Sequence, residues 1–193
     1  MNAQKNELRR QIFARRDLIS PEEAHRAAAS IAERGLAFAQ ERLPAGATVA
    51  AYWPIRSEMN TRPLMEALVA AGFRTALPVT RETRTPLVFR LWTVGDDLVR
   101  GALGNSEPLD TAETITPALL FMPLAAFDAT GGRIGYGAGH YDTTLAPLRA
   151  RGATLAVGLA FDLQEIDAVP LEAHDQRLDA VITETRTLSF EPG

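Results

Sequence analysis

The chain has 193 residues, of which 46% are hydrophobic and 23% are charged, and its formal net charge at pH 7 is -4. This length suits one well-buried domain over residues 1–193, and the acidic balance argues against general nucleic-acid binding, which favours a basic face. The chain has no cysteine, which excludes disulfides, thiolate metal sites and a cysteine nucleophile.

Predicted helices and strands alternate along the chain. In order they are helices over 3–18 and 21–42, a strand over 48–53, a helix over 63–71, strands over 73–79, 87–92 and 119–122, a helix over 141–150, and strands over 154–159 and 180–183. Residues 96–99 form at most a short helix, and residues 101–117 form a long connection. This alternation predicts an α/β fold, a single layered sheet with helices on both faces.

No targeting or membrane segment is evident in the sequence. The first residues include Lys and Arg but lack the apolar stretch of a signal peptide, and the longest apolar run, 118–127, is far too short to span a bilayer. We therefore expect a cytoplasmic protein without a membrane partner.

Five glycines fall within residues 131–139, which we call the glycine loop, between the strand at 119–122 and the helix at 141–150. A strand, a glycine-rich loop and a helix N-terminus together form an anion cradle, and Arg133 adds a positive charge. The loop matches neither the Walker A pattern nor the dinucleotide fingerprint. Its composition predicts a phosphate site, with a plain glycine-rich turn as the alternative.

Basic residues recur at helical spacing in the first predicted helix. Lys5, Arg9 and Arg16 cluster beside its apolar stripe, whereas Arg10 and Arg15 are expected to face water. A basic row at the edge of an apolar stripe points partly inward and needs a partner. The alternative is a solvated helix whose long cationic side chains lie along the surface.

Carboxylates follow three of the predicted strands. Glu58 follows the first, Asp142 ends the segment after the central one, and Asp175 follows a third. Ligands gather outside the carboxyl ends of parallel strands, so the three loops predict one site. The alternatives are a solvated loop carboxylate at Glu58, a helix-capping Asp142 and a surface Asp175.

Several motifs occur in an order that resembles the 5-formyltetrahydrofolate cyclo-ligase family, also called methenyltetrahydrofolate synthetase. They are Lys5-x-x-Leu8-Arg9, YWPIRSE at 52–58, PLAAFD at 123–128, GRIGYGAGHYD at 132–142, VGLAF at 157–161 and LDAVITE at 178–184. Two departures stand out. His140 lies where many members have tyrosine, and Thr143 where many have arginine.

The resemblance implies a Rossmann-like fold of the NagB/RpiA type and a reaction. In that reaction 5-formyltetrahydrofolate and ATP, with Mg²⁺, give 5,10-methenyltetrahydrofolate, ADP and phosphate. The implied partners are these small molecules, with no nucleic acid, and the implied assembly is a monomer or weak homo-oligomer. Two rivals are a binding protein that sequesters formylfolate and an ATP-dependent ligase or kinase acting on a different small molecule.

The resemblance also implies roles for individual residues. Catalysis is expected from Lys5, Arg9, Glu58 and Arg133. ATP binding is expected from Lys5, Arg9, Arg133, Ile134, Gly135, Tyr136, Gly137, Ala138, Gly139, His140 and Tyr141. Folate binding is expected from Trp53, Glu58, Tyr136, Gly137, Ala138, Gly139 and His140. Asp142 and Asp175 are expected to bind Mg²⁺, which prefers carboxylate oxygens together with phosphate and water. At Trp53 the alternative is a core tryptophan.

Overall fold

The computed structural model describes residues 2–101, 104–152 and 154–190. Its helices are α1 (Asn2–Arg16), α2 (Pro21–Arg42), α3 (Arg62–Ala70) and α4 (His140–Arg151). Its strands are β1 (Thr48–Ala50), β2 (Arg74–Val79), β3 (Val88–Leu91), β4 (Leu98–Arg100), β5 (Ser106–Pro108), β6 (Thr114–Ile115), β7 (Leu119–Pro123), β8 (Ala126–Phe127), β9 (Arg133–Ile134), β10 (Leu155–Leu159), β11 (Ala180–Ile182) and β12 (Thr187–Ser189).

Eight strands form one sheet in the order β12-β11-β10-β7-β1-β2-β3-β6. The five from β11 to β2 are parallel, and β12, β3 and β6 add to the two edges in antiparallel pairing. The central strand β7 pairs with β10 from Leu119↔Leu155 to Pro123↔Leu159. Because parallel strands end on the same side, the segments that follow β1, β2, β7 and β10 meet at one edge of the sheet.

Helices cover both faces of this sheet, which confirms the predicted layers. Along β7, Leu119 and Phe121 face the layer of α2 and α3, while Leu120 and Met122 face the side of α4. This alternation is the period of two expected of a strand. Both faces are buried, so β7 reads in sequence as a continuous apolar run.

The start of α2 is set by local sequence. Ser20 accepts a hydrogen bond from the backbone N–H of Glu23, and the Glu23 carboxylate accepts one in return from the backbone N–H of Ser20. This capping box and Pro21 at the first helical position satisfy donors that a helix otherwise leaves open. The predicted bounds 21–42 are confirmed.

Several short elements differ from the prediction. Residues 98–100 form β4, a strand paired with β5, rather than a short helix over 96–99. The predicted connection 101–117 contains β5 and β6, while its residues 102–103 lie outside the described residues. The first strand ends at Ala50 instead of residue 53. These strands have two or three residues, and pairing with a partner rather than local propensity decides them.

Among the described residues, no helix combines the length and the apolar character needed to cross a membrane.

Candidate active site

A cavity of about 360 Å³ opens at the carboxyl edge of the parallel strands. Its walls come from α1, from the segments that follow β1 and β2, from the glycine loop with the start of α4, and from residues 172–175. The three loops predicted to form one site therefore do share one cavity. α1 closes it, because Ile12 packs against Ala126, Ile134 and Val169 beside the β8–β9 hairpin.

Asp128 holds the base of the glycine loop. Its Oδ1 accepts hydrogen bonds from the backbone N–H groups of Thr130 and Gly132, and its Oδ2 accepts one from Val169 N at 2.8 Å. Burial alone would raise the pKa of Asp128, but these hydrogen bonds lower it below its usual value. Asp128 therefore positions the loop from behind.

The glycine loop ends in a helix N-terminus that faces the cavity. Gly137 and Gly139 have φ of 99° and 71°, in the left-handed region that favours glycine. Gly139 is the N-cap residue of α4, and within the described part of the chain no side chain caps the helix there. The first N–H groups of α4 thus have no side-chain acceptor from these residues, as expected for a site that binds an anion.

Two cations of the site are buried in ion pairs. Lys5 is 6% exposed, and its Nζ lies 2.6 Å from Asp175 Oδ2 and 3.2 Å from Glu172 Oε2. Arg133 is 5% exposed and lies 2.6 Å from Asp142 Oδ1. Burial lowers the pKa of Arg133, and the charge of Asp142 opposes that shift. The burial of Lys5 excludes a solvated surface position.

Two further arginines connect α1 to the glycine loop. Arg9 Nε donates to Gly135 O at 2.7 Å, and burial lowers the pKa of Arg9. Arg16 Nη1 donates to the Tyr136 hydroxyl at 2.6 Å, and the Tyr136 ring stacks on Phe13 with centroids 5.2 Å apart. Lys5 and Arg9 of the predicted basic row therefore line the cavity, Arg16 is buried behind it against Tyr136, and Arg10 and Arg15 are exposed as expected.

Glu58 lies in a largely apolar and phenolic environment. Its Oε2 accepts a hydrogen bond from Ile55 N at 2.8 Å. Burial raises the pKa of Glu58 above its usual value despite this hydrogen bond and the positive charge of Arg16. Burial likewise raises the pKa of Tyr52 and of Tyr141. A carboxyl group in such surroundings differs from a solvated loop carboxylate.

Trp53 packs against the hydrophobic core and also lines the cavity, so it fits both positions considered for it. Its ring packs edge-on against Trp92 with centroids 5.6 Å apart, and the Arg62 guanidinium lies 4.8 Å from its centroid. It borders the main hydrophobic core, and it also lines the cavity. The core contacts fix the ring in the cavity wall.

A further wall is residues 80–87, which we call the β2–β3 loop. Arg84 N donates to Ala138 O at 3.1 Å, His140 Nδ1 lies 3.1 Å from Thr85 O, and Leu87 N donates to Thr144 Oγ1 at 2.8 Å. These contacts join the loop to the glycine loop and to α4. His140 is thus in the cavity wall, as predicted, but its ring is held by a partner that the sequence did not indicate.

The two predicted metal ligands both line the cavity. Asp142 receives its hydrogen bonds from Arg133 and from Gln176 N at Oδ1, and Asp175 receives those of Lys5 and Glu172 N at Oδ2. Among the described residues, each carboxylate keeps its other oxygen without a hydrogen bond. Glu172, His174 and Asp175 offer ligand atoms within 4.8 Å of one another, a group that does not include Asp142. Carboxylate oxygens beside an anion cradle fit Mg²⁺.

Sequence reasoning missed several cavity residues. Glu172 binds Lys5, Thr80 lines the wall and donates from its N to Glu107 Oε1 at 2.8 Å, and Asn105 and Arg84 also line the wall. The partners of Lys5 and Thr80 are distant in sequence, so no spacing indicated them. For Glu172 alone a signal existed, because it lies close to His174 and Asp175 in sequence.

Residues 1–184 match the family model described as the 5-formyltetrahydrofolate cyclo-ligase family. Proteins named 5-formyltetrahydrofolate cyclo-ligase are similar to the chain. The one from Escherichia coli strain K12 is 35% identical over 144 residues, 72% of this chain and 79% of that protein. The one from Mycolicibacterium smegmatis is 36% identical over 149 residues, 73% of this chain and 75% of that protein.

Solved structures with the same fold include two methenyltetrahydrofolate synthetases. The structure of the Aquifex aeolicus 5,10-methenyltetrahydrofolate synthetase has a TM-score of 0.75 at 28% identity, with 98% of this chain and 94% of that chain covered. The Mycoplasma pneumoniae 5,10-methenyltetrahydrofolate synthetase has a TM-score of 0.73 at 24% identity, with 93% and 98% covered, and it supports the fold alone.

Proposed function

The chain belongs to the 5-formyltetrahydrofolate cyclo-ligase family, and from this we propose that its cavity converts 5-formyltetrahydrofolate to 5,10-methenyltetrahydrofolate. In this proposal ATP is the co-substrate, Mg²⁺ assists, and ADP and phosphate are released. The observation that carries it is the meeting, in one cavity, of the buried cations Lys5 and Arg133, an uncapped helix N-terminus and the carboxyl group of Glu58.

The chemistry requires activation of a poor electrophile. The formyl group on N5 is an amide, so its carbon resists attack and its oxygen is a poor leaving group. Transfer of the γ-phosphoryl group to that oxygen gives an imidate-like phosphate and ADP. N10 then attacks the activated carbon, loses its proton, and phosphate departs as the five-membered ring closes. The attack is intramolecular, so a fixed folate supplies much of the rate.

The cations act on the phosphoryl group. Charge spreads over its oxygens during transfer, and fixed positive groups in a site with little water stabilise that charge. Lys5, Arg9 and Arg133 supply three cations, and the first N–H groups of α4 supply dipoles. Asp175 and Asp142 hold Lys5 and Arg133 in place through ion pairs of 2.6 Å each.

Asp142 and Asp175 would hold Mg²⁺ through the oxygens that their ion pairs leave open. The ion, when bound, would neutralise charge on the phosphate oxygens. Lys5 contacts only Oδ2 of Asp175, so its ion pair would leave the other carboxylate oxygen for the ion.

Glu58, Trp53 and Tyr136 form the folate wall in this proposal. The Trp53 ring offers an apolar surface to the pterin, and Glu58 fixes the formylated edge. Fixing that edge keeps the formyl oxygen in line with the γ-phosphate and N10 close to the formyl carbon.

We also propose that the whole chain acts as one cytoplasmic domain. The support is that α1 and residues 172–175, which are far apart in sequence, line one cavity. The absence of cysteine suits a reducing compartment.

One assay tests the proposed reaction. The purified protein is mixed with 5-formyltetrahydrofolate and MgATP, and the absorbance of the methenyl product is followed together with ADP. We expect the two products in equal amounts and none when either substrate is omitted. Binding of formylfolate without methenyl product would favour a sequestering protein, and ADP formation dependent on another small molecule would favour a different ligase or kinase.

A further inference from the structure

The imidazole of His140 has one nitrogen bound and one nitrogen without a partner. Nδ1 lies 3.1 Å from Thr85 O in the β2–β3 loop. Nε2 is buried and has no hydrogen-bond partner among the residues that the structure describes. The residue is 7% exposed and lines the cavity. Because buried polar atoms in proteins are nearly always hydrogen bonded, an open one in a cavity wall indicates a ligand.

The partner at Nδ1 decides which nitrogen carries the proton. A carbonyl oxygen can only accept, so Nδ1 must donate to Thr85 O. In a neutral imidazole the other nitrogen is then an acceptor. Nε2 therefore offers a lone pair, and its complement is an N–H or O–H group. A phosphate oxygen, itself an acceptor, does not complement it.

The ring also lies in a rigid position. It belongs to the first residue of α4, and the β2–β3 loop beside it is held by Arg84 N on Ala138 O and by Leu87 N on Thr144 Oγ1. The ring is thus held in one orientation before a ligand arrives, and the buried Nε2 becomes accessible to a ligand through a small shift of the surrounding wall.

We propose that His140 Nε2 accepts a hydrogen bond from an N–H or O–H group of a bound substrate and so selects substrates that carry a donor at that point. This inference rests on the proposed function, because it takes the two substrates from it. The donor comes either from the nucleotide, as a ribose hydroxyl or the adenine amino group, or from the pterin, as its amino group. His140 therefore contacts an uncharged N–H or O–H group of a substrate, while Lys5, Arg9 and Arg133 bind the phosphates.

The test measures binding of ATP and of 5-formyltetrahydrofolate separately by calorimetry. His140→Asn retains an amide N–H that can donate to Thr85 O but has no acceptor at the position of Nε2. We expect it to weaken binding of one substrate about three- to tenfold, as for one hydrogen bond between neutral groups, and to leave the other unchanged. The matched control is His25→Asn, the same substitution at an exposed position of α2; we expect wild-type affinities.

Substrate analogues identify the donor. Wild-type protein is titrated with 2′-deoxy-ATP, 3′-deoxy-ATP, the 6-deamino nucleotide and a 2-deamino formylfolate. One analogue should lose the same three- to tenfold, and His140→Asn should no longer distinguish it from its parent. Equal binding of every analogue by the wild type, unchanged binding of both substrates by His140→Asn, or an equal loss in His25→Asn would overturn the proposal. The analogue titrations of wild-type protein test the proposal even if His140→Asn does not fold. Absence of methenyl product would defeat the proposed function but leave these binding differences measurable.

Discussion

Two cations of the cavity, Lys5 and Arg133, are buried in ion pairs, and this governs what single substitutions there do. Lys5 lies against Asp175, and Arg133 lies against Asp142, each at 2.6 Å. Removing one member leaves the other buried without a partner, which destabilises a protein more than the pair itself stabilises it. Variants at these positions therefore need a measurement of folding beside each measurement of rate.

Glu58 differs, because among the described residues it forms no ion pair, and the charge of Arg16 acts on it only from farther away. We expect Glu58→Gln to lower turnover of 5-formyltetrahydrofolate sharply, even at saturating ATP, since the defect lies on the folate side. In the wild type, kcat/KM for the folate should fall in acid as Glu58 takes up a proton, at a pH above the usual glutamate value because burial raises its pKa. This fall should be absent from the variant. Steady-state rates over a range of pH measure both.

The stability of the same variant has an expected sign. A raised pKa in the folded state means that ionised Glu58 is disfavoured by folding, and this penalty develops as pH rises through that pKa. Glu58→Gln should therefore have a Tm at neutral pH no lower than the wild type, with the difference shrinking in acid. The exposed Glu66→Gln on α3 is the control, with rate and Tm unchanged. Normal turnover in Glu58→Gln would support the alternative that Glu58 is a loop carboxylate without a role in the reaction.

At the scale of elements, β10 depends on a glycine for its fit between neighbours. A Cβ placed on Gly158 would lie 2.5 Å from Leu124 Cδ2 and 2.9 Å from Leu178 Cδ1. We expect Gly158→Ala to lower the free energy of unfolding by about 1–3 kcal/mol, as for overpacking of a core. Denaturant unfolding measures this.

Gly152→Ala after α4 is the matched control, because a Cβ there meets no atom within 4 Å. It should unfold like the wild type. Equal stability of the two variants would contradict this prediction and would mean that the core around Gly158 accommodates a Cβ without strain.

Helix α1 places two cations in the site and two in water. We expect Lys5→Ala with Arg9→Ala to weaken the use of ATP and leave folate binding nearly intact. Each lost contact lowers the rate by about tenfold to a thousandfold, as for a removed group that stabilises a transition state. Arg10→Ala with Arg15→Ala changes the same helix on its exposed side and should keep full activity. An unchanged dependence on ATP in the first variant would remove α1 from the nucleotide site.

The elements that the sequence predicted are those with their own local signals. The capping box at Ser20 marks α2, and the apolar run of β7 marks a strand buried on both faces. In contrast β8, β9 and β12 have two or three residues each, and only the pairing with a neighbouring strand makes them strands. No window of sequence contains that neighbour.

The features of the site also fall into two groups, those found from the sequence and those that only the structure shows. Lys5, Arg9, Glu58 and the glycine loop were found from spacing, composition and family resemblance, and they line one cavity, while their roles stay proposals. The contacts of His140 with Thr85 and of Lys5 with Glu172 span 55 and 167 residues. Such contacts depend on the order of strands in the sheet, which a single sequence does not specify.

At the scale of the whole molecule, the proposed metal joins distant parts of the chain. If Asp142 and Asp175 hold Mg²⁺ between them and the phosphates, EDTA should abolish turnover, and added Mg²⁺ should restore it. Asp142→Asn should lose activity while its circular dichroism stays that of a folded protein. Asp167→Asn, at an exposed position, is the control. Full activity of Asp142→Asn at low Mg²⁺ would remove Asp142 from the metal site.

The pairing of Lys5 with Asp175 also determines how late in synthesis of the chain the active site can be completed. The two residues are 170 positions apart, so a ribosome adding about 5–20 residues per second delivers the aspartate roughly ten to thirty seconds after the lysine. Until then α1 has emerged, yet Lys5 has no counter-charge, and the apolar side of α1 stays uncovered until the β8–β9 hairpin has been made. A nascent chain released before this point has an unpaired Lys5 and an uncovered apolar face on α1. Completion of the active site is consequently a late event in translation, and incomplete chains are the form most exposed to aggregation and to proteases.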